Sequence, residues 1–138
     1  LATDLIAYWS HWITPVGEPR RYDTRFFVTH APAGQTAAHD DWELTSSAWV
    51  TPDEAIERAA RGEWLIILPT LMNLRTLSQH PTAASAVAWA AAQSLPLPAN
   101  QPKIFRGQVV LPGDPGYDEG EVDVSKFDRE LFERPILP

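Results

Sequence analysis

A chain of 138 residues, 44% hydrophobic and 21% charged, is long enough to bury a core and short enough for one domain. Its net charge of −7 makes nucleic acid a poor partner, because phosphate binding needs a basic face, and the absence of cysteine excludes disulfides and thiolate metal sites. No apolar run approaches the roughly 20 residues that cross a bilayer, so a cytoplasmic protein without a membrane partner is expected, in keeping with the lack of cysteine.

Residues 5–13 are aromatic and β-branched enough for a strand, ended by Thr14-Pro15-Val16-Gly17. Residues 15–21 form a loop with two prolines and one glycine. A second strand is predicted over 22–30, where alternation puts Phe26 and Val28 on one face and Arg25, Phe27 and Thr29 on the other. Residues 42–50 predict a third strand, with Trp42, Leu44, Ala48, Trp49 and Val50 as its apolar content. Thr51-Pro52-Asp53-Glu54 then starts a helix. The threonine can cap it, proline suits its first position and the glutamate completes a capping box. Ala55, Ile56, Ala59 and Ala60 form its apolar stripe, and Gly62 stops it.

A helix over 70–79 follows, with Leu71, Leu74 and Leu77 facing inward. Another over 82–94 carries a small face of Ala83, Ala86, Val87 and Ala90, suited to close packing. Residues 95–102 hold three prolines and read as a stiff linker. A strand over 103–111, a dense turn over 112–116 and a short helix over 125–134 complete the chain. Strands interleaved with helices predict an α+β or mixed α/β fold. The expected organisation is a main unit over 1–95, with the linker, strand and tail of 96–138 packing on the same domain.

Three cations, Arg20, Arg21 and Arg25, fall within six residues. Guanidinium forks match phosphate oxygens in pairs, so Arg21 and Arg25 are candidates to hold a diphosphate, and Arg20 reads as plain surface. The competing reading is a solvated basic turn paired with Glu18 and Asp23. Trp9, Trp12, Tyr22, Phe26 and Phe27 surround the same loop. Each suits a core, a stacked base or an apolar pocket wall, and Trp12 and Phe27 are the candidates for substrate contact. His39-Asp40-Asp41-Trp42-Glu43 puts carboxylates before or on a strand, where they can hold Mg²⁺ or Mn²⁺ or act as a base. The competing reading there is an exposed acidic loop. The four histidines lack metal-ligand spacing, and no phosphate loop, dinucleotide fingerprint or nucleophile elbow occurs.

Taken in order, several segments resemble the Nudix hydrolases: Trp12-Ile13-Thr14-Pro15, Arg21-Tyr22-Asp23-Thr24-Arg25-Phe26-Phe27, Gly34-Gln35, Glu43, and Trp49-Val50-Thr51-Pro52 with Glu54-Ala55. Leu68-Pro69-Thr70 and the run from Leu111 to Tyr117 extend the resemblance over nearly the whole chain. Within that superfamily the chain is most similar to the nucleoside-diphosphate-linked moiety X motif 19 branch, which includes coenzyme A diphosphatases. The resemblance implies an α/β/α sandwich around a mixed sheet. It also implies Mg²⁺- or Mn²⁺-dependent hydrolysis of a diphosphate linked to another moiety, a nucleotide or coenzyme A derivative, by a metal-activated water. By the same resemblance Glu43 is the candidate catalytic residue and metal ligand, Arg21 and Arg25 contact substrate, and Asp23 is structural, pairing with Arg21 or capping a turn.

The metal-binding box of that superfamily, G-x5-E-x7-R-E-U-x-E-E-x-G-U with U a bulky aliphatic residue, normally precedes these motifs and is absent from residues 1–11. Glu121, Arg129, Glu130, Leu131 and Glu133 fall at matching spacings. Pro115, Arg134 and Ile136 break the pattern, and an amphipathic charged tail produces such matches by chance. Residue 1 is leucine and the only methionine is Met72, so the chain is expected to be the post-box portion of a longer protein. Alone it would be inactive, with its sandwich incomplete on the N-terminal side. The exposed strand edges would then be covered by the missing segment as a second chain, or by a homodimer. The alternative is a non-catalytic nucleotide-binding or protein-interaction module on a Nudix-like scaffold.

Overall fold

The computed structural model describes residues 5–34, 36, 38, 39, 42, 46–128 and 130–133. Two strands, β1 (Ala7–Ile13) and β2 (Asp23–Val28), pair antiparallel as a hairpin. On the other side of β1 lies β3 (Ala99–Asn100), paired in parallel, so the sheet is mixed with order β2-β1-β3. The proline-rich 95–102 segment is therefore more than a linker. Pro98 and Pro102 flank the two paired residues, so neither removes a donor from the ladder. Asn100 adds a side-chain bond, its Nδ2 donating to the carbonyl of His11 at 3.2 Å.

Strict alternation along β1 would put Trp9 and Trp12 on opposite faces. Both are buried, because the register breaks between Tyr8, opposite Phe27, and Ser10, opposite Phe26. Trp9 is the extra residue of a β-bulge, which resets the phase of the strand. In β2 the predicted faces hold: Phe26 and Val28 pack against the core, while Arg25 and Phe27 are exposed.

Threonine side chains cap the starts of α1 and α3. In α1 (Pro52–Ala60) the Thr51 hydroxyl accepts from the Glu54 amide at 3.2 Å, a cap worth about 1 kcal/mol. The Glu54 carboxylate takes Arg58 at 2.7 Å, one turn along. α2 (Leu68–Ser78) begins earlier than predicted, at the residue before Pro69. α3 (Ala83–Ala91) is shorter than predicted and carries a full capping box between Thr82 and Ser85. Its small residues Ala86 and Ala90 lie against Ala7 and Trp9 of β1, with Phe26, Val28 and Leu77 around them. The Trp9 ring also meets Trp89 edge-on at 5.0 Å and His80 at 5.8 Å. No helix among the described residues is long and apolar enough to cross a membrane.

The structure changes three expectations. Residues 46–50 form no strand, and Trp49 is 77% exposed. No neighbouring strand among the described residues offers them a ladder, and residues 43–45 lie outside the described set. The single strand predicted over 103–111 is instead a tight hairpin of β4 (Lys103–Phe105) and β5 (Gln108–Val110). Its turn residues Arg106 and Gly107 both have positive φ, 50° and 78°, as a twisted two-residue hairpin turn demands. Of the predicted terminal helix only α4 (Glu130–Glu133) is present, because Ser125 to Phe127 form a turn.

The C-terminal segment returns to the N-terminal loop. Val16 and Asp123 form a parallel bridge, the Val124 amide donates to the Val16 carbonyl at 2.8 Å, and Val124 is buried. At this junction the Asp123 carboxylate accepts the Ser125 amide at 3.0 Å. That backbone bond, with the Ser125 side chain and nearby Lys126, holds the carboxyl below its ordinary range. A depressed folded-state pKa contributes stability above the unfolded carboxylate range, and that contribution disappears as pH falls through the folded value. Thermal melts taken between about pH 5 and pH 2 are expected to show a shallower acid limb for Asp123→Asn than for wild type. Identical limbs would remove Asp123 from the acid response.

Candidate functional site

The loop between β1 and β2 is closed by its own residues. The Thr14 amide donates to the Tyr22 carbonyl at 3.0 Å, and the Tyr22 amide donates to the Thr14 hydroxyl at 3.0 Å. Arg21 reinforces the closure, its Nε donating to the carbonyls of Thr14 and Pro15, each at 3.1 Å. Gly17, at φ 97°, turns the loop against Asp123 and Ser125.

This closed loop forms one wall of a cleft of about 340 Å³. Trp12, Thr24 and Phe26 of the hairpin form its floor. Ile67, Leu68 and Pro69 at the start of α2 and Phe132 of α4 face them. The lining is mostly apolar, and its charged members among the described residues are Glu18 and Arg20, both on the loop. A guanidinium above aromatic and aliphatic walls can hold an anionic group while the walls take an apolar one.

The predicted site residues separate by strand parity. Trp12 lies in the cleft. Phe27 is on the opposite face of β2 from Thr24 and Phe26, and its ring stacks on Tyr8 at 5.4 Å. Arg25 shares the Phe27 face and pairs with Asp23 at 2.9 Å. Asp23 also meets His11 across the hairpin at 2.6 Å, so its partners are His11 and Arg25 rather than Arg21. Arg21 braces the loop from outside the cleft lining, and Arg20, read from sequence as plain surface, lines it. No spacing in the sequence separates these two neighbours; the loop closure at Thr14 does. Phe132, distant in sequence, was likewise invisible as a cleft residue.

Glu43, with Asp40, Asp41 and Gln35, lies outside the described residues. His39 is described and meets the Ser47 hydroxyl at 3.4 Å. Among the described residues no group of three or more His, Cys, Asp or Glu side chains is placed to hold a metal ion. The motif from Leu111 to Tyr117 is built for shape. Asp114 Oδ2 accepts the Leu111 amide at 2.8 Å, and the Tyr117 hydroxyl donates to the Gln101 carbonyl at 2.9 Å. Partial burial, and secondarily Asp118, push the Tyr117 hydroxyl above its ordinary pKa.

No family model and no solved structure matches the chain. Curated proteins do match parts of it. A stretch of 53 residues is 43% identical to the acyl-coenzyme A diphosphatase NUDT19 of Xenopus laevis, covering 36% of this chain and 14% of that protein. Over 66 residues the chain is 41% identical to the protein of the same name from Gallus gallus, covering 41% and 17%. Over 82 residues it is 29% identical to putative nudix hydrolase 7 of Caenorhabditis elegans, covering 57% and 27%. The matched stretches thus span 14% to 27% of the length of these relatives. By sequence, parts of the chain are thus similar to Nudix proteins, two of them named acyl-coenzyme A diphosphatase.

Proposed function

We propose that this chain is the substrate-side part of a Nudix-type hydrolase that cleaves a diphosphate linked to another moiety, with coenzyme A derivatives as the substrate class. The observation that carries this reading is the cleft, in which Arg20 stands on a braced loop over apolar walls that include Trp12 and Phe26. Support comes from the likeness to two proteins named acyl-coenzyme A diphosphatase. In this reading Arg20 meets phosphate oxygens, Trp12 and Phe26 hold the apolar portion, and Arg21 keeps the loop in shape. The reading places the metal-binding box, and the layers that complete an α/β/α sandwich, outside these 138 residues. In this reading the described residues of the cleft bind and orient the substrate.

Calorimetric titration of coenzyme A into the chain tests the cleft. Arg20→Ala is expected to weaken binding about tenfold, the worth of one charge-assisted bond. Arg25→Ala, on the other face, is expected to leave it unchanged. Absence of coenzyme A binding, or equal losses from both variants, would count against the assignment. Hydrolysis by an intact protein that contains this chain, assayed with Mg²⁺, separates the enzyme from a binding module on the same scaffold. Tight binding without turnover would favour the module.

The same reading extends to assembly. The outer edge of β2 pairs with no strand among the described residues, and Phe27 beside it is exposed. Such an edge is a template for another strand, supplied by a second chain or a second copy. Light scattering is expected to give a mass above the 15.4 kDa of one chain; a stable lone monomer would rule out both sources.

A further inference from the structure

Phe132 reaches the cleft from the far end of the chain. It lies on α4, and four residues make too little helix to persist alone in water. Its position is set by what precedes it. The Val16–Asp123 bridge and the Val124 amide bond fix this segment to the β1–β2 loop, and Val124 is only 3% exposed. Two turn bonds carry the chain onward from there. The Phe127 amide donates to the Val124 carbonyl at 3.0 Å, and the Leu131 amide donates to the Asp128 carbonyl at 3.1 Å. α4 then rests beside β5.

The arm therefore starts at the wall that carries Arg20 and ends at the wall opposite the cleft floor. The other apolar walls are backed by packed structure. Trp12 and Leu68 are each 5% exposed and fixed by the sheet and by α2. Walls of that kind keep their shape, because packed interiors yield little. Phe132 is half-buried and lies outside the buried core, and its ring faces the cleft. The space between floor and opposing wall is thus trimmed by one phenyl group on a short arm. That arm is tied to the loop that would grip the anion.

We propose that Phe132 determines which substrates the cleft takes, by limiting the size of the apolar group next to the phosphate. The inference rests on the reading of the cleft as a site for an anion joined to an apolar group, and it adds the residue that sets the size limit. Arg20 governs affinity for the anion whatever is attached to it. Phe132 governs which attachment fits.

The probes are phenyl phosphate and 2-naphthyl phosphate, titrated calorimetrically into the 138-residue chain. Phe132→Ala takes a contact from the phenyl group and opens room for the naphthyl group. It is expected to shift the ratio of the two affinities about tenfold toward 2-naphthyl phosphate, the scale of discrimination that a small change in an apolar pocket gives. Phe132→Trp is expected to shift the ratio the other way, and Phe132→Leu to fall between wild type and Phe132→Ala. Arg20→Ala is expected to weaken both probes alike and leave the ratio unchanged. An unchanged ratio in Phe132→Ala, or equal losses for both probes, would overturn the role of Phe132, and the phosphate reading would survive if Arg20→Ala still weakened both. Unchanged affinities in Arg20→Ala with the ratio still shifted by the Phe132 variants would sink the phosphate reading alone. Absence of saturable binding of either probe by wild type would overturn both.

Discussion

Gly17→Ala is expected to destabilise the protein by at least about 3 kcal/mol, combining a left-handed backbone cost with overpacking. In a chain of this size that lowers the melting temperature by roughly 10 °C. The loop turns at Gly17 with φ 97°, a conformation that L side chains rarely adopt. A Cβ there would also fall onto the Asp123 carboxylate and the backbone nitrogen and Cβ of Ser125. These atoms cannot yield cheaply, since the Val16–Asp123 bridge and the Val124 amide bond tie that segment to the loop. Because the same loop carries Glu18 and Arg20, the variant is also expected to lose coenzyme A affinity at temperatures where it remains folded. Urea denaturation and calorimetry check the two effects separately. A melting temperature within a degree or two of wild type would show that the junction is not held as described.

Trp9→Ala carries the second large effect, about 3–5 kcal/mol, the usual cost of removing a buried tryptophan. Trp9 is 5% exposed, and its neighbours Ala7, Ala86 and Ala90 are too small to collapse into the space it would leave. Total stabilities run from about 5 to 15 kcal/mol, so this variant is expected to unfold at much lower urea, with loss of the near-ultraviolet signal from the Trp9–Trp89 pair. Trp49→Ala offers the contrast. Trp49 is 77% exposed, and its removal is expected to stay within about 0.5 kcal/mol. Equal effects from the two substitutions would mean that the bulge does not bury Trp9.

The two tryptophans show where sequence reasoning reaches its limit. Both sit in runs that read as strands. What separates them is pairing: residues 7–13 find partners at 23–28 and 99–100, while 46–50 find none among the described residues. Elements set by nearest neighbours were legible. Thr51 and Thr82 cap helices because the donor each hydroxyl meets lies three residues away. The faces of β2 followed from alternation alone. The β1 bulge and β3 were not legible, because each depends on residues brought together by the fold; Trp12 meets Asn100 only across the sheet.

The candidate site divides the same way. The sequence by itself determined the resemblance to the Nudix superfamily, the clustering of arginines and aromatics on one loop, and the helix starts, since all of these are properties of order and spacing. Only the tertiary structure decided that Arg20 enters the cleft while Arg21 braces the loop, that Asp23 pairs with His11 and Arg25, and that Phe27 faces away. The physical reason is that a side chain's direction follows from which carbonyls close the loop and from the parity of its strand, and a one-residue shift in either moves it to the opposite surface.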